Sequence, residues 1–144
     1  MKKKNFHTTI KVNASAAEAM KKISEVKKWW AKKVKGKTEK VNDKFVVDFG
    51  ETFVDFKISE LIPNQKVVWI VTDCHLDWIN NKKEWNGTEV VFKISEKKNS
   101  TQIDFTHVGL VPSFECYEDC ETGWTEHVTE SLVKFINEGK GMPV

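Results

Sequence analysis

The chain has no arginine: all 23 of its basic residues are lysine. Base readout in nucleic-acid grooves leans on the bidentate guanidinium fork, so no nucleic-acid partner is expected, although lysine can hold phosphate backbones. Cysteine is scarce too, at three, and an odd number does not make a disulfide framework. The start, MKKKNFHTTI, carries basic residues with no apolar stretch after them, so no export signal is read and a cytoplasmic setting with free thiols is expected. No run approaches the roughly 20 apolar residues of a membrane span, which excludes an integral membrane helix. Internal repeats, low-complexity segments and linkers are also absent, so residues 1–144 are expected to form a single domain. Neither a glycine-rich phosphate loop, a nucleophile elbow, an H-E-x-x-H pair nor an EF-hand loop occurs, and no cofactor or metal is expected.

What is present is uneven. Residues 1–44 hold 14 lysines against four acids, a net +10, so the remainder carries −8 within an overall +2. Phe6, Thr8, Ile10 and Val12 alternate with polar residues and predict a first strand. Ser15 with Glu18 three residues on is a capping-box signature, which predicts a helix from Ala16 to about Ser24 and a second short one over Val26 to Ala31. From about Lys37 the period is two. Phe45, Val47 and Phe49 share a face, as do Val54, Phe56 and Ile58. Val67, Trp69 and Val71 oppose Val68 and Ile70, and apolar character on both faces predicts a central strand. Residues 75–87 break the alternation and end at the turn pair Asn86-Gly87. Val90, Phe92 and Ile94, then Ile103, Phe105 and His107, resume it.

After Gly109 and Pro112 the pattern changes again. Cys116, Cys120, Trp124, Val128, Leu132, Phe135 and Ile136 recur at steps of mostly four, the stripe of one long helix. The acids Glu115, Glu118, Asp119 and Glu121 fall in its first turns, where they complement the helix dipole. Strand, two short helices, about six strands and one long helix make an α+β helix-grip architecture: an antiparallel sheet of six to seven strands wrapped around the C-terminal helix. Such an arrangement leaves room for a cavity. Six tryptophans in a chain of this size suggest aromatic walls, with Trp69 and Trp124 on the surfaces that should meet, and Trp78 and Trp85 flanking the 75–87 loop as a lid or mouth. His107 falls on the inward face near a strand end, a place for an acid, a base or a ligand hydrogen bond. Cys116 and Cys120 read as small packing residues on the helix, with reversible oxidation as the alternative.

Several local patterns extend the picture to a family. F-x-x-T-I-x-V-x-A-S at 6–15, K-W-W at 28–30, V-V-W at 67–69 and W-x-G-T at 85–88 carry the resemblance, together with F-T-H-x-G-L at 105–110, E-C-Y-x-x-C-x-x-G-W at 115–124 and S-L at 131–132. Over about residues 6–143 the chain resembles single-domain bacterial proteins similar to the C-terminal domain of the activator of the heat-shock chaperone ATPase. That group lies in the SRPBCC superfamily, with START lipid-transfer domains, birch-pollen allergen-like proteins and polyketide cyclases. The resemblance implies a helix-grip fold, a deep cavity between sheet and helix, and binding of a small hydrophobic, lipid-like or aromatic ligand. Trp30, Trp69, Trp78, Phe92, Phe105, His107, Cys120 and Trp124 are the expected ligand-binding residues, with Trp30 and Trp78 near the mouth. Two alternatives accompany it: a polyketide cyclase- or dehydratase-like enzyme using His107, with His127 or Glu126, and a stress-response protein with a chaperone partner. A monomer or a weak homodimer is expected.

Overall fold

A computed structural model of the chain describes residues 4–144. Strand β1 (Phe6–Val12) buries Phe6, Ile10 and Val12 on one face. Helix α1 (Ala16–Ser24) begins where the sequence predicts: Ser15 Oγ accepts the Glu18 N–H at 3.1 Å, and Glu96 Oε1 accepts the Ala16 N–H at 2.7 Å. Helix α2 (Val26–Trp29) follows directly. Strand β2 (Val34–Gly36) is an element the sequence pattern does not signal, because its three residues lie in a lysine-rich stretch with one buried side chain, Val34. Then come β3 (Lys44–Asp48), β4 (Phe53–Ile62), β5 (Lys66–His75), β6 (Glu89–Glu96) and β7 (Thr101–Val108).

All seven strands form one antiparallel sheet in the order β1-β7-β6-β5-β4-β3-β2. β5 takes the middle position, as its two apolar faces predict, and Val67, Val68, Trp69 and Val71 are all buried. β1 closes the far side by pairing with β7, Phe6 opposite His107 and Val12 opposite Thr101. Two register shifts in the β4–β5 pairing, one with Thr72 as the extra residue of β5 and one with Ser59 as the extra residue of β4, bend the pair and increase its twist.

The C-terminal helix α3 runs continuously over 117–138, with α-helical ends at Tyr117–Trp124 and Val133–Glu138 and wider π turns across Thr125–Leu132. The widening has a physical reason. A four-residue step in an α-helix overshoots a full turn by about 40°, so a stripe spaced by four would wind off the sheet. Wider turns overshoot less, which keeps Cys120, Trp124, Val128, Leu132 and Ile136 buried along one side. Gly139 ends the helix in the left-handed conformation (φ 82°). Beyond it the chain doubles back: the Val144 N–H donates to Trp30 O, and the Met142 N–H to Ser131 Oγ, which itself donates to Trp29 O. Those bonds fix the Trp29-Trp30 pair beneath the helix.

Candidate functional site

A cavity of about 330 Å³ lies between the sheet and the first half of α3. Its walls come from four places in the chain: Trp30 after α2, Phe49 and Val54 around the β3–β4 turn, Leu76, Trp78 and Trp85 from the β5–β6 loop, and Asp119, Cys120, Gly123, Trp124 and His127 from α3. Nearly all of that surface is apolar. Phe49 and Trp78 remain 40% and 49% exposed and mark the mouth, while Trp30, Trp85 and Trp124 are buried in the wall.

The β5–β6 loop is bound to the start of α3 rather than free of it. The Trp78 indole N–H donates to Asp119 Oδ2 at 3.0 Å, and Glu115 accepts the backbone N–H groups of Asn80 and Asn81. In return, the Glu84 carboxylate accepts the N–H groups of Glu115 and Cys116, the two residues that lead into the helix. These contacts hold the Glu115 carboxyl below its usual range, chiefly through the two backbone donors. So two members of the acidic run, read from sequence as dipole complements, tie the cavity's edge together. Cys116 and Cys120 are joined in a disulfide within the same turn, and the Trp85 indole N–H points at Cys116 Sγ (3.3 Å). Their sulfurs are therefore bonded, a correction to the expectation of free packing thiols. Cys74 alone keeps a thiol, buried beneath the loop.

Of the residues expected to bind a ligand, Trp30, Trp78, Cys120 and Trp124 line this cavity. Trp69 stacks on Trp30 (ring centroids 6.3 Å apart, planes 3° apart) and borders a second cavity of about 260 Å³ beside α1. Phe92, Phe105 and His107 have no exposed surface and sit in the core behind Trp124. His107 is held at both ring nitrogens. Trp124 Nε1 can only donate, so His107 Nδ1, 3.0 Å away, is an unprotonated acceptor. Thr88 gives its hydroxyl proton to Trp85 O at 2.6 Å, so at 2.8 Å its oxygen accepts from the His107 Nε2–H. The ring is thus a neutral single tautomer, and burial lowers its pKa to about 3. Gly109 belongs to the same arrangement: its φ of 103° excludes ordinary side chains, and a Cβ there would stand 2.7 Å from the Thr88 methyl.

Phe49, Asp119, Gly123 and His127 also line the cavity; of these the sequence marks only His127, as an acid–base candidate under the enzyme reading. A signal exists in retrospect. Asp119, Gly123 and His127 are spaced by four and run beside the Cys120-Trp124-Val128 core stripe, one residue behind it. Burial lowers the His127 pKa, against a smaller opposing effect of Glu126. Among the described residues no cluster of three or more His, Cys, Asp or Glu could hold a metal, and no helix is long and apolar enough to cross a membrane. Chemically the arrangement is equipped to desolvate an apolar body and to offer it a few hydrogen-bonding groups.

Comparison with known proteins adds the family. A family model described as Activator of Hsp90 ATPase homolog 1-like protein matches residues 18–137. The solution structure of the Aha1 dimer from Colwellia psychrerythraea is 27% identical, with a TM-score of 0.78 over 96% of this chain and 99% of that one. A protein from Nitrosospira multiformis (11% identity, TM-score 0.71, 94% and 98% covered) and CalU16 from Micromonospora echinospora (16%, 0.69, 94% and 75%) share the fold. No curated protein matches the chain.

Proposed function

This chain belongs to the Activator of Hsp90 ATPase homolog 1-like family, and we propose that it binds a small, mostly apolar molecule in the cavity between its sheet and α3. One observation carries the reading: four tryptophans and Phe49 surround an open volume of about 330 Å³ instead of filling it. Native interiors pack densely, so unfilled aromatic surface of this extent is a feature of binding sites more than of cores. Affinity would come from removing apolar area from water, at roughly 25 cal/mol per Å² before ordering costs. Trp30, Trp78, Cys120 and Trp124 are the expected contacts, with Trp69, Phe92, Phe105 and His107 supporting them from behind. A cytoplasmic setting is part of this reading, and there a reducing environment would open the Cys116–Cys120 bond.

The test uses the protein's own tryptophans. Lipids, flavonoids and polyketide-like aromatics are titrated while emission and melting temperature are followed. A ligand at 100 times its Kd should raise stability by about 2.7 kcal/mol. A panel that moves neither signal sinks the proposal.

The family name and the Colwellia dimer support a second reading, in which the chain associates with a chaperone or with its own copy. The +10 carried by residues 1–44 would then face an acidic partner. Capture of the bacterial chaperone that weakens steeply with salt favours this reading, and sedimentation at graded concentrations measures self-association.

A further inference from the structure

The polar groups on the cavity wall are few, and their charges are one-sided. Asp119 contributes a carboxylate, Thr52 a hydroxyl and His127 an imidazole, while no lysine among the described residues lines the space. The two lysines of the neighbouring loop are engaged elsewhere. Lys82 Nζ donates to Asp77 O and Ile79 O, both at 2.8 Å, and Lys83 Nζ pairs with Asp73 at 2.9 Å. The Thr52 hydroxyl already accepts the Asp77 N–H. The remaining surface is mostly aromatic, and the face of an indole or phenyl ring carries negative potential. An anionic ligand such as a fatty acid would meet a carboxylate and several ring faces with no counter-charge. A cation would meet attraction from both.

We propose that the cavity selects a small organic ammonium ion, its apolar body against Trp30 and Trp124 and its charged head on the face of the Trp78 ring, beside Asp119. This rests on reading the cavity as a ligand site and names the class of ligand it takes. The hydrogen bond from Trp78 Nε1 to Asp119 Oδ2 holds the indole and the carboxylate together at the mouth, and the carboxylate keeps lone pairs for a second donor. Trp is the strongest cation–π partner, and Asp119 supplies a full charge at the same point. His127 adds no opposing charge, because burial favours its neutral form. The volume equals roughly eleven liquid waters, which suits a body of one or two rings.

Three probes with one body separate the possibilities: naphthylmethyl-trimethylammonium, naphthylmethanol and naphthylacetate, titrated by tryptophan emission at low salt. The cation should bind about tenfold more tightly than the alcohol, and the anion most weakly. Asp119→Asn keeps an acceptor for Trp78 and lies on the exposed side of the helix. It should remove most of the cation's advantage while leaving the alcohol's affinity within about twofold. Equal binding of cation and alcohol, or a cation preference that survives in Asp119→Asn, overturns the charge selection and leaves the cavity reading intact. If none of the three binds, both fall.

Discussion

Two halves of the aromatic layer under α3 use the same kinds of side chain to opposite ends. On the closed side, Phe92, Phe105 and Trp69 are at most 1% exposed, and each ring meets others at centroid distances of 4.7 to 6.5 Å. His107 is sealed behind the cavity wall, against the buried rings of Trp85 and Trp124, with both nitrogens bonded. On the open side, Phe49 and Trp78 keep nearly half their surface in water, and Trp30 and Trp124 border a void. The difference lies in satisfaction, not composition. Where every ring has neighbours and every polar atom a partner, the aromatics are core. Where they are held in place with a face left over, they are a wall. Among the described residues no buried side-chain nitrogen or oxygen lacks a partner.

Removing a ring from the closed half should have the largest effect. Phe105 is fully buried and contacts Phe6, Phe92 and Trp124. Phe105→Ala should cost about 3–5 kcal/mol in denaturant unfolding, from lost transfer energy and the cavity left behind. A cost below about 1 kcal/mol would mean that this half is as loosely filled as the other.

His107 gives the next effect. Its folded pKa of about 3 lies below the ordinary 6.5, so the unfolded chain binds the extra proton. The stability it contributes is complete above pH 6.5 and is lost as the pH falls toward 3, by up to about 1.4 kcal/mol per unit, or about 3 kcal/mol by pH 4.5. His107→Gln should flatten this part of the pH profile. A residual slope from His127, whose pKa is also lowered by burial, should remain. An unchanged profile would show that water reaches His107.

Most of the fold is legible in the sequence, and what is not legible has physical causes. Period two gave the strands, Ser15 and Glu18 gave the start of α1, and two apolar faces gave β5 its central place. β2 escaped because one buried valine makes no pattern. The candidate site was readable in part: Trp30, Trp78, Cys120 and Trp124 stood out as aromatic or stripe residues. Alternation sets Phe92, Phe105 and His107 on the inward face of their strands, where a cavity is expected. It does not tell which stretch of that face α3 covers tightly and which it leaves open. In sequence Asp119 reads as a complement to the helix dipole and His127 as an acid–base candidate, and only the position of the β5–β6 loop sets both on one wall. The disulfide was a matter of proximity, which a spacing of four permits without requiring.

Gly123 offers the finest test of the open half. It sits in the helical segment Tyr117–Trp124, where glycine costs roughly 0.5–1 kcal/mol relative to alanine. It also lines the cavity, and a Cβ built there would meet nothing within 4 Å. Gly123→Ala should therefore stabilise the protein by about 0.5–1 kcal/mol with ligand affinity nearly intact. Gly123→Leu should keep about the same helical gain and push a branched side chain into the unfilled volume. It should abolish binding of any ligand that quenches tryptophan emission in the parent protein. Loss of binding with unchanged or raised melting temperature separates a wall from a core, since overpacking a filled interior would cost about 1–3 kcal/mol instead. If Gly123→Leu destabilises by that amount, the space beside it is not open, and the distinction between the two halves fails.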